Sequence, residues 1–167
     1  MTVEFIVRRV TAEDWSEYRD LRIEMLRDTP MAYAERLEDA LERDESAWRE
    51  RAGAQSSTPS IRVAAITSDG EWIGSMGGYV DRGQATLVGV YVAAGYRGDR
   101  FGVTSALLQA IEAWATGYSA TIRLDVHESN SRARASYAKR GYVETGSTKP
   151  YPLDPVALEL EMVKQLR

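Results

Sequence analysis

Residues Val90 to Leu108, VYVAAGYRGDRFGVTSALL, run from an apolar strand pattern through a polar turn into a helix. Leu87, Val88, Val90 and Val92 form the β-branched stretch, and Ala94-Gly95 breaks it. Val103, Leu107, Leu108, Ile111 and Trp114 then recur at the spacing that lines one helix face. A strand, a glycine-containing turn and a helix N-terminus together make a device for holding phosphate. The first-turn N–H groups have no partner inside the helix, and the helix dipole adds about half a positive charge there. Gly98 and Gly102 let an anion approach the backbone, and Arg97 and Arg100 flank the turn with charge-assisted donors. Strand-turn-helix junctions are also common in α/β proteins that bind no phosphate. The glycines follow neither the GxGxxG dinucleotide spacing nor GxxxxGK[ST], so a dinucleotide fold and a nucleotide-hydrolysing P-loop are disfavoured.

The 167 residues suit one domain with a real core, and 44% hydrophobic with 28% charged residues is ordinary for a globular protein. No run approaches 18 apolar residues, and the N-terminal MTVEFIVRRV lacks a signal-peptide layout. With no cysteine there is no disulfide, thiolate metal site or cysteine nucleophile. A cytoplasmic protein with no membrane partner is expected. The net charge of −4 argues against nucleic acid as the partner. The charge is uneven: Ala93–Gly141 holds seven basic against four acidic residues, a net of +3, which leaves −7 elsewhere. That asymmetry would suit a polyanionic cofactor and a cationic acceptor, although solvated surface charge explains it equally well.

The elements expected in order begin with a strand at Phe5–Val10 and a helix opened by the capping-box pattern of Thr11 and Asp14. One or two helices follow between Pro30 and Ala52, then a small-residue loop over Gly53–Ser60. A meander is predicted from Ile61–Ile66, Trp72–Val80 and Thr86–Val92, turning at Asp69-Gly70 and Asp81-Arg82-Gly83. Gly74, Gly77 and Gly78 in its second strand imply a bend or a close approach. After the long helix, ending near Gly117, come a strand at Thr121–His127, parallel to Thr86–Val92, and a helix from Asn130 to Arg140 capped by Gly141. Strands at Tyr142–Thr145 and Val156–Val163 close the chain, joined by Pro150–Pro155.

Tyr91 to Gly102, YVAAGYRGDRFG, resembles the acyl-CoA-binding motif of the GNAT superfamily of N-acetyltransferases, R/Q-x-x-G-x-G/A. Arg97 fits its first position and Gly102 its last, while Arg100 stands where the middle glycine usually is. Leu124 to Tyr142, LDVHESNSRARASYAKRGY, resembles the second cofactor motif of that family, N-x-x-A…Y-x-x-x-G-[FY]. The element order also matches across nearly the whole chain. The resemblance implies one α/β domain over residues 1–167. Its mixed, mostly antiparallel sheet would have about seven strands flanked by about four helices, with one central parallel pair.

By the same resemblance acetyl-CoA is the acyl-donor co-substrate. Its binding falls to Val90, Tyr91, Val92, Arg97, Gly98, Asp99, Arg100, Phe101, Gly102, Val103 and Thr104, and to Asn130, Arg134 and Tyr137 in the second motif. Taken alone, Asn130 reads equally as a helix N-cap and Tyr137 as core packing. Amide formation from a thioester needs a neutral amine, a donor for the oxyanion and a proton for the thiolate. The family match gives the oxyanion donor to backbone at Val92, where the family has a strand bulge, and the general-acid role to Tyr137. The position where the family often carries a glutamate base falls at Thr86, and His127 reads as structural. The acceptor loops of the family map onto Thr29–Glu35 and Pro150–Pro155, which makes Tyr33, Glu35 and Tyr151 candidate acceptor contacts, with Glu38 and Asp154 beside them. No metal is expected. The leading expectation is direct acetyl transfer to a primary amine of a small molecule or peptide, with room for a homodimer. A protein N-terminal or lysine acetyltransferase, a CoA-binding regulatory module without turnover and an unrelated phosphate-binding domain stay open beside it.

Overall fold

A computed structural model describes residues 2–53 and 58–167. Its seven strands are β1 (Phe5–Arg9), β2 (Ser60–Thr67), β3 (Trp72–Asp81), β4 (Gln84–Val92), β5 (Thr121–His127), β6 (Val143–Tyr151) and β7 (Asp154–Gln165). They form one sheet in the order β1-β2-β3-β4-β5-β7-β6, antiparallel except for β4 against β5. Among the described residues five α-helices accompany it: α1 (Trp15–Asp28), α2 (Leu37–Leu41), α3 (Glu45–Ala52), α4 (Val103–Ala115) and α5 (Ser131–Lys139). Of the expected Gly53–Ser60 loop, residues 54–57 lie outside the described residues.

Local chemistry sets most of the boundaries. The Thr11 N–H donates to the Asp14 carboxylate at 2.8 Å, closing a short 3₁₀ turn before α1. Arg82 and Gly83 both take positive φ, the geometry that lets two residues join β3 and β4 in a tight hairpin. Gly141 is left-handed at the end of α5, and the Tyr142 N–H reaches back to the Tyr137 carbonyl at 3.1 Å. One expectation fails. Pro150–Pro155 is not a connecting loop, because Pro150 and Tyr151 finish β6 while Asp154 and Pro155 open β7. Only Pro152 and Leu153 make the turn, and proline fits here because β6 is the outer strand of the sheet.

Two cores lie on opposite faces of the sheet. On one, α4 buries Val103, Leu107, Leu108, Ile111 and Ala115 against Ile73, Met76, Leu87 and Ile122. Each large aliphatic chain there contributes about 1.5–3 kcal/mol of burial. On the other, Tyr18, Leu21 and Met25 of α1 and Trp48 of α3 pack over Ala64, Ile66 and Tyr91. The glycines of β3 mark close approaches. A Cβ at Gly74 would lie 2.9 Å from the Tyr91 carbonyl oxygen and 3.0 Å from Leu107, and one at Gly78 would lie 2.9 Å from the Trp114 ring.

Gly74→Ala should therefore lower unfolding stability by about 1–3 kcal/mol in a denaturant titration. Gly95→Ala, where a Cβ meets nothing within 4 Å, should stay within about 0.5 kcal/mol of the parent. Equal midpoints for the two variants would contradict this packing.

Candidate functional site

The two parallel strands pair only at their starts, where Ala85 meets Ile122 and Thr86 meets Arg123. Beyond that point they part. The cause lies in β4. Against β3, Val88 opposes Gly77 while Tyr91 opposes Ser75, so β4 carries one extra residue between them. Gly89 sits there with φ +60°, a value that suits glycine. The bulge is thus at Gly89–Val90, two to three residues before the position expected at Val92.

Downstream of the bulge the Ala93 N–H donates to the Ile73 carbonyl at 2.9 Å. Antiparallel alternation then turns the Val92 N–H and C=O away from β3, toward the side that β5 has vacated. The Arg97 Nε donates to that Val92 carbonyl at 2.7 Å. The parting opens a cavity of about 530 Å³ lined by Leu87–Val92 of β4 and Leu124–His127 of β5. The face of α5 that includes Ala133, Ser136 and Tyr137 forms its third wall.

At one end lies the turn into α4. Gly98 and Gly102 have φ of +101° and +72°, and no side chain caps the first turn of α4. Its N–H groups are therefore available to an anion. Gly98, Asp99 and Thr104 line the cavity, together with Arg132 and Lys139 of α5 and Arg140 just after it. Asp99 hydrogen-bonds Lys139, which holds its carboxyl below the usual range, and pairs with Arg140 at 3.4 Å. Arg97 also lines the cavity, but its guanidinium pairs with Asp28 of α1 at 2.5 Å and lies 5.5 Å from the Tyr91 ring centre. Its hydrogen bond holds the Asp28 carboxyl below the usual range. Arg97 thus ties α1 to the end of β4. Arg100 stacks on Phe101 at 4.6 Å, Val103 is buried in the core, and neither these nor Gly102 line the cavity.

In the middle of the cavity stand Asn130 and Tyr137. The Asn130 Oδ1 accepts the Ala133 N–H at 3.3 Å, so Asn130 caps α5 while its amide nitrogen stays free to donate. Tyr137 packs on the Tyr142 ring at 5.6 Å, and burial pushes its phenol well above the usual value. Arg134 points elsewhere, to Glu144 at 2.8 Å and the Glu128 carbonyl at 3.0 Å.

On the far side, the Tyr33 hydroxyl donates to the Val90 carbonyl at 2.8 Å and the Tyr151 hydroxyl to the Tyr33 carbonyl at 2.7 Å. Both tyrosines thereby strap the Pro30–Ala32 turn and the β6–β7 hairpin to the bulge. A shallower recess beyond them is bordered by Glu35, Glu38, His127, Tyr151 and Asp154. Glu35 is not a free carboxylate: Arg22 reaches it at 2.8 Å, Arg43 contacts it directly and Arg51 lies at 3.6 Å. Burial opposes its charge, yet the Arg22 hydrogen bond and the surrounding guanidinium charges hold its carboxyl below the usual range. The Ser129 N–H donates to His127 Nδ1 at 3.1 Å, which puts the proton of a neutral ring on Nε2. The Thr86 hydroxyl accepts from Arg123 at 3.3 Å. Among the described residues no group of histidines and carboxylates is arranged to hold a metal.

Sequence reasoning missed Gly89 and the cationic face of α5. The spacing of Arg132, Ser136, Lys139 and Arg140 was a readable signal for that face, whereas the glycine in β4 had no local signature separating a bulge from a plain strand.

The family model described as the acetyltransferase (GNAT) family matches residues 15–142. No curated protein sequence matches the chain. A GCN5-related N-acetyltransferase from Kribbella flavida is 25% identical, with a TM-score of 0.73 over 96% of this chain and 97% of that one. A GNAT-family acetyltransferase from Streptococcus pneumoniae superposes with a TM-score of 0.80 at 19% identity, covering 97% of this chain and 99% of that one. PaiA N-acetyltransferase from Thermoplasma acidophilum, solved in complex with coenzyme A, gives 0.69 at 20% identity over 97% and 99%. With its splayed parallel pair and a family match spanning most of its length, this chain belongs to the GNAT acetyltransferase family.

Proposed function

We propose that the protein transfers an acetyl group from acetyl-CoA directly to a primary amine of a small molecule or peptide. The observation that carries this reading is that Val92 and Tyr137 line one cavity between the parted strands, with a glycine-flanked, uncapped helix terminus at its end. The residues present suit a CoA thioester. First-turn N–H groups of α4, with Arg132, Lys139 and Arg140 nearby, match a diphosphate, and the Asn130 amide matches the polar arm behind it.

Acetyl-CoA supplies an activated acyl group and a thiol leaving group. The Val92 N–H donates to the carbonyl oxygen as negative charge builds there. The Tyr137 hydroxyl gives its proton to the departing sulfur as the C–S bond breaks and the C–N bond forms. Burial keeps that phenol protonated across the physiological range. The amine loses its proton to solvent: Thr86 is not acidic, and the His127 Nδ1 lone pair is already taken by the Ser129 N–H. With no cysteine in the chain, a thiol-linked acyl-enzyme route is closed and direct transfer is favoured.

Two measurements test this. Tyr137→Phe should lower kcat for CoA-thiol release by about 10²–10⁴-fold while CoA affinity changes little; full kcat in that variant would remove Tyr137 from the chemistry. In the parent, kcat/KM should rise with pH as the acceptor amine deprotonates, then hold up to about pH 10, since the phenol is shifted upward. A loss setting in below about pH 9 would contradict a half-buried, protonated tyrosine as the acid.

A further inference from the structure

The bulge has a second surface, facing α1 and α3, and that surface is cationic. The Arg62 side chain runs from β2 across β3 toward β4. Its guanidinium would lie 3.2 Å from a Cβ at either Gly77 or Gly89, so those two glycines make its channel. The Tyr18 ring lies 4.8 Å from it. Arg22 approaches the same point from α1, one of its guanidinium nitrogens 3.8 Å from the Cβ position of Gly89. Two guanidiniums thus converge on the residue that opens the cleft.

Beside them lies a cavity of about 290 Å³, lined among the described residues by Arg9, Arg51, Arg62, Ser60, Tyr79 and Val88, with no carboxylate in its described wall. Val88 also lines the acetyl-CoA cleft. Burial works against the charge on Arg62, and the nearby Arg22 and Arg51 add to that, with Glu35 opposing them. Arg22 and Arg51 are engaged with Glu35 on its far side. An anion entering the cavity would relieve this crowding, and a guanidinium fork matches a carboxylate in two-point geometry.

We propose that this cavity receives the carboxylate of the acceptor, which makes the acceptor class a primary amine bearing a carboxylate a few bonds away, as in a free amino acid. The inference rests on the acetyl-transfer reading and sharpens it. The charge asymmetry of the sequence would suit a cationic acceptor, but Glu35, a candidate acceptor contact, is already surrounded by arginines.

The test is calorimetric titration of the CoA-loaded protein with N-acetyl amino acids, each paired with its carboxamide. The carboxylate form should bind at least about tenfold tighter, as expected for a charge-assisted pair. Arg62→Met should bring the two forms within about threefold, and Arg62→Lys, which keeps the charge without the fork, should retain part of the preference. Should Arg62→Met not fold, Arg51→Gln and the comparison within the parent protein still decide. Equal affinity for the two forms, binding of neither, or an undiminished preference in the folded Arg62→Met protein would overturn the inference. Thiol release with a panel of amines separates the two layers. Turnover only with amines lacking a carboxylate sinks the carboxylate pocket and leaves acetyl transfer standing. A carboxylate preference in binding without turnover of any amine does the reverse.

Discussion

One extra residue in β4 governs the rest of the molecule. Two parallel strands of equal pitch would stay hydrogen-bonded and close the sheet. The insertion at Gly89–Val90 shifts the register against β3, and the downstream half of β4 no longer meets β5. Three consequences follow from that kink. A cavity opens between strands that are neighbours in the sheet order. The Val92 N–H is turned into it. The surface behind Gly89 becomes open enough to admit two guanidiniums.

A kinked strand with freed backbone groups needs support, and polar struts provide it. The Val90 and Val92 carbonyls are taken by the Tyr33 hydroxyl and the Arg97 guanidinium. Tyr151 then holds Tyr33, and Asp28 holds Arg97, so the β6–β7 hairpin and α1 both bear on the bulge. Ion pairs of this kind are modest sources of net stability when desolvation is counted, but breaking one partner is costly. Their value here is geometric, in fixing the strand end that faces the cleft. The Arg22–Glu35–Arg43 cluster does the same for the helices above it.

The element order, the three-strand meander, the parallel pair and the strand-turn-helix junction into α4 were legible because they depend on period-2 and 3.6-residue patterns and on turn residues such as Asp69-Gly70 and Gly141. The site was legible only in part. Arg97 was read as a phosphate donor from its charge and Arg134 as a cofactor contact from the family resemblance, and in the fold each also engages a carboxylate and a backbone carbonyl. Glu35 was read as a candidate acceptor contact, yet Arg22, Arg43 and Arg51 converge on it. Such pairings are long-range and leave no local pattern. The closing hairpin was read too short for a different reason: proline weakens a strand pattern, but an outer strand tolerates it.

The proposed seat of coenzyme A is the cleft made by the Gly89 bulge, with its sulfur between β4 and α5. Residue-resolved amide NMR during a titration with coenzyme A addresses it directly. Shifts centred on Val90–Val92, Gly98, Val103–Thr104 and the Asn130–Tyr137 face of α5 are the expected result. Saturable binding that leaves those amides unmoved, with changes confined to β1, β6 or the outer face of α3, would contradict it.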